Sequence, residues 1–323
     1  MIVKDESHCI ARCLKSVSKI VSEIIIVDTG STDNTPDIAR SFGARVIHHV
    51  WHDDFSEARN VSLEHAQADW ILVLDADEEL TASARKHIRK LTSDSLNDGY
   101  LFIVRHLAPD NEISKYSEMR LLRLFKNRSE FRYHGKIHEQ ILPSVKDAGN
   151  RIKATNLIIK HYGYMDETCQ SGDVRAKRNL KILKNILQVS PKDPYIHYHL
   201  GMTYRTLGDN EKSYKSLQKA IAHDADSQLN SEILSKLYIA LAQLSLGSNQ
   251  FKAAIDYANI SFEYGPDNLI GLYVTGISMI YVQKYSEATP YLVQVLNHPQ
   301  LRLKEKKYLK KVITFCKHKT SEK

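Results

Sequence analysis

Trp70-Ile71-Leu72-Val73-Leu74-Asp75-Ala76-Asp77-Glu78-Glu79 is the stretch on which the reading of this chain turns. Its five apolar residues read as a buried strand, and four carboxylates follow where that strand should stop. Clustered acids at the tip of a buried strand repel one another and lose hydration, so such a cluster usually holds a cation. An Asp-X-Asp there can bind a divalent metal, and the metal a diphosphate. The same residues also suit turn formation and helix capping, because Leu80-Thr81-Ala82-Ser83 looks like a helix start. On these residues alone both readings stand.

Working outward, Ile24-Ile25-Ile26-Val27 and Arg45-Val46-Ile47 read as further strands, and 8–19, 35–42, 56–67 and 81–92 as helices. This alternation predicts an α/β domain with a mostly parallel sheet. Ligands of such sheets bind outside the carboxyl ends of the strands. The acids obey that rule: Asp5 and Glu6 follow the first strand, Asp28 the second, and Asp75 and Asp77 the fourth.

After about residue 165 strand signals stop and paired helices begin. Leu200-Gly201, Tyr204, Gly208, Leu217 and Ala220 form one copy of a pattern. Leu241-Ala242, Leu246-Gly247, Ala254 and Ala258 form a second, and Gly276, Ala288 and Leu292 a third. The step from Ala242 to Gly276 is 34 positions, the tetratricopeptide period; the 41 from Gly201 to Ala242 indicate a short insertion near 226–231. Asn179, Leu183, Ile186 and Pro191 look like part of a leading copy. The chain therefore divides at 1–165, an α/β domain, and 166–323, an all-α repeat domain of tetratricopeptide type. Such arrays bind extended chains and can mediate homodimers.

With 323 residues, 42% hydrophobic and 26% charged, the composition is that of a soluble globular protein with room for two cores. No apolar run approaches the roughly 18–20 residues of a bilayer span. Met1-Ile2-Val3-Lys4-Asp5-Glu6 lacks a signal-peptide plan, so a cytoplasmic protein is expected. Cys9, Cys13, Cys169 and Cys316 fit buried thiols in a reduced compartment. The net charge of +7 peaks in Lys304-Glu305-Lys306-Lys307 to Lys310-Lys311, with Leu309, Val312 and Phe315 interspersed. That is a solvated capping helix rather than a nucleic-acid platform.

Four motifs in order, Met1-Ile2-Val3-Lys4-Asp5-Glu6, Val27-Asp28-Thr29-Gly30-Ser31-Thr32-Asp33-Asn34-Thr35, Asp54-Phe55-Ser56-Glu57-Ala58-Arg59-Asn60 and Leu74-Asp75-Ala76-Asp77, resemble the family 2 glycosyltransferases. The later His134-Gly135-Lys136-Ile137-His138-Glu139 and the repeats look like the branch that includes the sublancin-type peptide S-glycosyltransferases. The resemblance covers about the first 165 residues. It implies a GT-A fold, a nucleotide-sugar donor, Mn²⁺ or Mg²⁺, and inversion at the sugar. It departs from the family's pattern at Met1, which begins inside the first strand.

On that reading Asp28 recognises the uracil of a UDP-sugar, and Asp5 and Glu6 touch base or ribose. Glu6 is equally suited to a helix start. Arg59 pairs with the donor diphosphate or orients a carboxylate, with a surface salt bridge as the plain alternative, and Asn60 beside it belongs to the donor-binding set. Asp54 either caps its helix or binds the sugar; Asp33 and Thr32 cap the next. Asp75 contacts ribose or a metal-bound water. Asp77 ligates the metal, joined by His138, and Glu139 is the general base that deprotonates the acceptor; the roles of His138 and Glu139 are interchangeable at this stage. His161-Tyr162-Gly163 either closes the site or packs at the domain junction, and the junction is favoured. The expected activity is transfer of a sugar to a peptide or protein selected by the repeats. The alternatives are a polysaccharide or lipid-linked acceptor, and a non-catalytic scaffold on a degenerate transferase fold.

Overall fold

The structure, a computed structural model, describes residues 1–93, 96–109, 113–149, 151–163, 172–225 and 227–321. Cys169 and the expected boundary at 165/166 lie outside them. The chain forms two compact units, Met1–Pro109 with Tyr116–Val174, and Asp110–Lys115 with Arg175–Lys323.

The first unit opens with β1 (Ile2–Val3), α1 (Ile10–Val17), β2 (Ile25–Asp28), α2 (Thr35–Ser41) and β3 (Arg45–His48). β1–β2–β3 is a parallel sheet, with Val3 level with Asp28 and Asp28 level with His48. Next come α3 (Phe55–Glu64), β4 (Trp70–Leu72), β5 (Glu78–Leu80), α4 (Ala82–Thr92), β6 (Gly99–Leu107), β7 (Tyr116–Lys126), α5 (Leu142–Asp147) and β8 (Ile152–His161). These strands form a second sheet in the order β4-β7-β6-β8-β5.

The parallel pairing expected from the strand–helix alternation holds through β3, but the second sheet is mixed. Only β6 and β8 run parallel there; β4–β7, β6–β7 and β5–β8 are antiparallel. The cause is chain length. Residues 108–115 join β6 to β7, and a parallel crossover needs about a dozen residues or more.

Apolar faces then fix the layers. Cys13 and Val17 of α1, Ala84 and Ile88 of α4, and Leu74, Tyr100, Phe102, Leu124 and Ile159 close one core. A second holds Val3, Cys9, Ile10, Ile26, Ala39 and Ala76. Ala76 matters most for the site: its burial among Val3, Cys9 and Ile10 fixes the Asp75–Asp77 turn beside the end of β1. Beside β4 lies a cavity of about 400 Å³, lined in part by Met1, Ile25, Arg59, Trp70 and Tyr133. Thr81, not an aspartate, caps α4, accepting from the Ala84 N–H.

The second unit is helical: α6 (Gly172–Val189), α7 (Pro194–Thr206), α8 (Asn210–His223), α9 (Ser231–Gly247), α10 (Phe251–Tyr264), α11 (Leu269–Tyr281), α12 (Tyr285–Asn297) and α13 (Leu303–Ser321). Asp193, Asp209, Asn230 and Asn268 cap α7, α8, α9 and α11 through their side chains. The small–large pattern read from the sequence is the packing rule. A Cβ on Gly201 would lie 2.6 Å from Leu217 Cδ2, and one on Gly276 would lie 2.6 Å from Leu292 Cδ2. α13 buries Leu309, Ile313 and Cys316 and exposes Tyr308 and Phe315. Cys9, Cys13 and Cys316 are buried free thiols. Among the described residues no helix is long and apolar enough to cross a membrane.

Gly201→Ala tests the helix contact. Alanine favours a helix by about 1 kcal/mol and overpacking against Leu217 costs about 1–3 kcal/mol, which leaves a net loss of up to about 2 kcal/mol. In urea titrations that penalty should shrink in a Leu217→Ala background; a stabilised Gly201→Ala would refute the contact.

Candidate active site

The β3–α3 connection sets up the centre of the site. Asp54 stands before α3 and accepts from the Glu57 N–H at 3.0 Å and the Ser56 hydroxyl at 2.7 Å, so of its two expected roles the structure displays the cap. With the helix anchored there, Arg59 projects inward. Its Nε donates to Glu139 Oε1 at 2.5 Å and its Nη2 to Asp75 Oδ1 at 2.8 Å. Arg123 of β7 takes the other side of Asp75, with Nη2 3.4 Å from Oδ2 and 2.5 Å from Glu78 Oε1. Glu78 returns a bond to the turn, its Oε2 accepting from the Asp75 N–H at 2.9 Å.

The result is a line of alternating charge, Glu139–Arg59–Asp75–Arg123–Glu78. Glu139 and Arg59 side chains are 11% and 12% exposed, Arg123 8% and Glu78 1%. Burial alone would favour the neutral forms. Burial opposes charge on Arg59, but Asp75 and Glu139 hold its proton more firmly than usual, and Glu78 and Asp75 do so for Arg123. The two guanidinium groups overcome burial at Asp75 and keep its carboxyl well below the ordinary range. At Glu78 burial wins: with Asp75 close by, its carboxyl is pushed above the usual range despite Arg123.

Asp77 faces another partner. Its Oδ2 lies 3.2 Å from His161 Nε2, and His161 Nδ1 lies 2.9 Å from His106 Nδ1. Burial lowers the His161 pKa, but Asp77 outweighs it and raises the ring above its ordinary value. The Tyr162 N–H donates to the Asp77 carbonyl at 3.0 Å, and Tyr162 Oη donates to Glu79 Oε2 at 2.8 Å. Gly163 completes the wall: a Cβ there would stand 2.5 Å from Asp77 Oδ2 and 2.7 Å from His161 Cε1. The His161-Tyr162-Gly163 segment thus closes on Asp77, which corrects the expectation that it only packs at a junction.

The first three strands supply a second set of acids. Asp28 is 2% exposed; its carboxylate accepts from the Ser31 N–H at 3.1 Å and meets His48 Nδ1 at 3.1 Å. Asp5, at φ 55°, accepts from the Thr32 N–H and hydroxyl, while the Glu6 N–H donates to Thr35 Oγ1. Asp33 ties α2 to the loop after β1. Slight burial works against it, but bonds from Thr35 and Ser7 hold its carboxyl down at about 2. Ala76 and Val3 share one core, so the Asp75–Asp77 turn lies beside the end of β1, which Asp5 follows and where Val3 is level with Asp28.

Other expected residues take different places. Asn60, expected on the donor, spends its amide on the backbone of Tyr133: Oδ1 accepts from the Tyr133 N–H at 2.8 Å and Nδ2 donates to its carbonyl at 3.0 Å. It is a clamp that brings the Tyr133–Glu139 segment to α3. His138, expected beside Asp77, is exposed at φ 56°, next to buried Ile137, and the histidine paired with Asp77 is His161. Asp75, expected to contact ribose or a metal-bound water, is flanked by the Arg59 and Arg123 guanidinium groups. Among the described residues, three-residue groupings able to hold a metal are Glu6–His8–Cys9 and His49–His52–Glu57.

Sequence reasoning passed over Arg123, His106 and Arg12, gave Glu78 no role beyond the acidic cluster, and ranked site closure by His161 second. Arg123 carried a visible signal, a charge inside Leu121-Leu122-Arg123-Leu124-Phe125. Arg12, with its guanidinium carbon 4.0 Å from the Tyr162 ring centre, carried none. Arg12 Nε and Nη2 and Arg59 Nη1 are buried donors without hydrogen-bond partners.

Residues 1–144 match the family described as Glycosyl transferase family 2, and they form a domain of that family, followed by a TPR-like helical region. The chain is 35% identical over 262 residues to a TPR repeat-containing protein of Synechococcus elongatus, covering 79% of this chain and 63% of that one. It is 28% identical over 223 residues to the SPbeta prophage-derived glycosyltransferase SunS of Bacillus subtilis, covering 68% and 52%. An uncharacterized glycosyltransferase of Rickettsia prowazekii is 39% identical over 106 residues, 31% of this chain and 34% of that one. The chain therefore spans less than two thirds of these relatives. The crystal structure of MamA protein aligns at a TM-score of 0.37 and 16% identity over 46% of this chain and 75% of that one.

The Glu78 proton has a measurable consequence. Its folded carboxyl sits above the ordinary 4.5, so as pH rises from 4.5 towards about 7 the unfolded chain has released a proton that the folded chain retains. Stability contributed by that proton is present at the acid end and lost as pH rises, with a slope of at most about 1.4 kcal/mol per pH unit. Urea titrations at pH 5 and 7 should show wild type losing stability relative to Glu78→Gln across this window. Parallel curves would contradict the assignment.

Proposed function

We propose that the chain is a metal-assisted, inverting glycosyltransferase that moves a sugar from a nucleotide-sugar, a UDP-sugar on the Asp28 reading, to a peptide or protein held by the helical repeats. One observation carries this reading: Arg59 joins Asp75 to Glu139, Asp77 of the same turn pairs with His161, and Ala76 between the two aspartates packs in one core with Val3, which is level with Asp28. A degenerate scaffold has no need to keep buried charges in register, since burying them costs several kcal/mol each when unpaired.

The residues fit a divalent cation. The Asp77 carboxylate and the His161 imidazole present an oxygen and a nitrogen 3.2 Å apart, and Gly163 leaves clear the space that a Cβ would fill. Asp77 and His161 would hold the ion, and the imidazole suits Mn²⁺ better than Mg²⁺. When bound, the ion would offset negative charge on the departing diphosphate.

The chain's own groups supply the rest. Arg59 Nη1 and the Arg12 donors, buried and otherwise unused, would bind diphosphate oxygens. Asp75 and Arg123 keep Arg59 in place so that it need not reorganise as charge develops. Glu139, oriented by Arg59, would accept the acceptor's proton at a carboxylate oxygen as that atom attacks the anomeric carbon opposite the leaving nucleotide. Asn60 positions the segment bearing Glu139.

Calorimetry with UDP and Mn²⁺ should show metal-dependent binding that Asp77→Ala removes; absence of UDP binding by wild type would sink the transferase reading. Release of UDP from a panel of UDP-sugars should identify the donor. With that donor, Glu139→Gln should lower kcat by about 10²–10⁴-fold while UDP binding persists. Undiminished turnover would exclude Glu139 as the base.

A further inference from the structure

The turn between β3 and α3 carries a second cluster that the transferase reading does not use. His49 follows β3, its N–H bonded to the Asp28 carbonyl at 2.9 Å. His52 lies in the turn, and Glu57 in the first turn of α3. Glu57 Oε1 is 2.9 Å from His52 Nδ1 and 3.4 Å from His49 Nε2. All three ligand atoms lie within 4.8 Å of one another.

These spacings match a tetrahedral ion. With metal–ligand bonds of about 2.0–2.1 Å, two donors on a tetrahedral Zn²⁺ stand about 3.3 Å apart. Both Glu57 contacts fall within a few tenths of an ångström of that value, and the two imidazole nitrogens lie within 4.8 Å of each other, so rotation of the solvent-exposed His52 side chain closes the remaining edge on an ion.

The chemistry of the set selects the metal. Two imidazoles and one carboxylate suit Zn²⁺ or a neighbouring transition ion, whereas Mg²⁺ and Ca²⁺ prefer oxygen shells. The backbone around the donors is independently fixed. Trp51 Nε1 donates to Asp53 Oδ1 at 3.0 Å, the Trp51 and Phe55 rings meet edge-on at 4.7 Å, and the Phe55 N–H donates to the Lys136 carbonyl at 2.8 Å. The His52 side chain is 56% exposed, so a fourth position faces solvent.

We propose that His49, His52 and Glu57 form a transition-metal site of the Zn²⁺ type, with three protein ligands and a fourth place for water. It is distinct from the Asp77–His161 pair. The ion ties the end of β3, where His48 and His49 both meet Asp28 of β2, to the start of α3, the helix that carries Arg59. It is a staple on the scaffold of the donor site.

The test uses the full chain, stripped with chelator and titrated with Zn²⁺ against a chromophoric competitor. Co²⁺ serves as a second probe, because tetrahedral coordination gives it intense visible bands. Wild type and Asp77→Asn should both show the site. His52→Ala and Glu57→Gln should each weaken it at least about tenfold and lose the Co²⁺ bands. Both change exposed side chains, so their metal-free unfolding temperatures should stay near wild type, and only wild type and Asp77→Asn should gain stability on adding Zn²⁺. Equal Zn²⁺ affinity in wild type, His52→Ala and Glu57→Gln would overturn the site, as would loss of binding in Asp77→Asn alone.

Discussion

The guanidinium of Arg59, shared between Glu139 and Asp75, is the interaction on which the arrangement of the first unit depends. It joins a helix, a strand end and a returning loop that are far apart in the chain, 16 residues from Asp75 and 80 from Glu139. A lone charge of this kind, removed from water, would cost several kcal/mol. It persists because each guanidinium has a carboxylate beside it, and Arg123 extends the line from Asp75 to the Glu78 carboxyl. The two sheets, the α3 cap and the Asn60 clamp all serve to keep these five side chains in register.

That constraint explains why the two aspartates of the Asp-X-Asp turn are not equivalent. Asp75 is held between arginines and organises them. Asp77, two residues on, points to His161 and Gly163 instead. Ala76 between them is buried against Val3, Cys9 and Ile10, so the chain turns over a small apolar pivot and sends its flanking carboxylates to different partners. The same pivot sets the charged line beside the end of β1, next to Asp5 and level with Asp28.

Much of this was legible in the residues. The apolar run before Asp75 announces a strand end, the Asp-X-Asp turn a polar site, and Asp54 with Arg59 a capped helix aimed at that site. Asp28, at the end of Ile25–Val27, was placed by the same reasoning. The repeat pattern was legible too, since Gly201 and Gly276 meet Leu217 and Leu292 at the spacing that small residues permit. Asn60 took a different place from the expected one for a physical reason. Sequence distance does not say whether a polar side chain will find a ligand or a nearer backbone, and Asn60 found the Tyr133 backbone. His161 was underrated because its partner, Asp77, comes from β5's leading turn, and only the antiparallel β5–β8 pairing brings the two together.

The sequence by itself determined the element types, the acids at strand ends and the small–large rule of the helices, because these follow from local periodicity and side-chain size. The tertiary structure alone decided which charges pair. Ion pairing depends on distances of a few ångströms between residues tens of positions apart, and those distances are set by sheet register: Glu78 level with His161, and β7 delivering Arg123. No local pattern encodes that register, and so the partners of Asp75 and Asp77 became visible only in the folded chain.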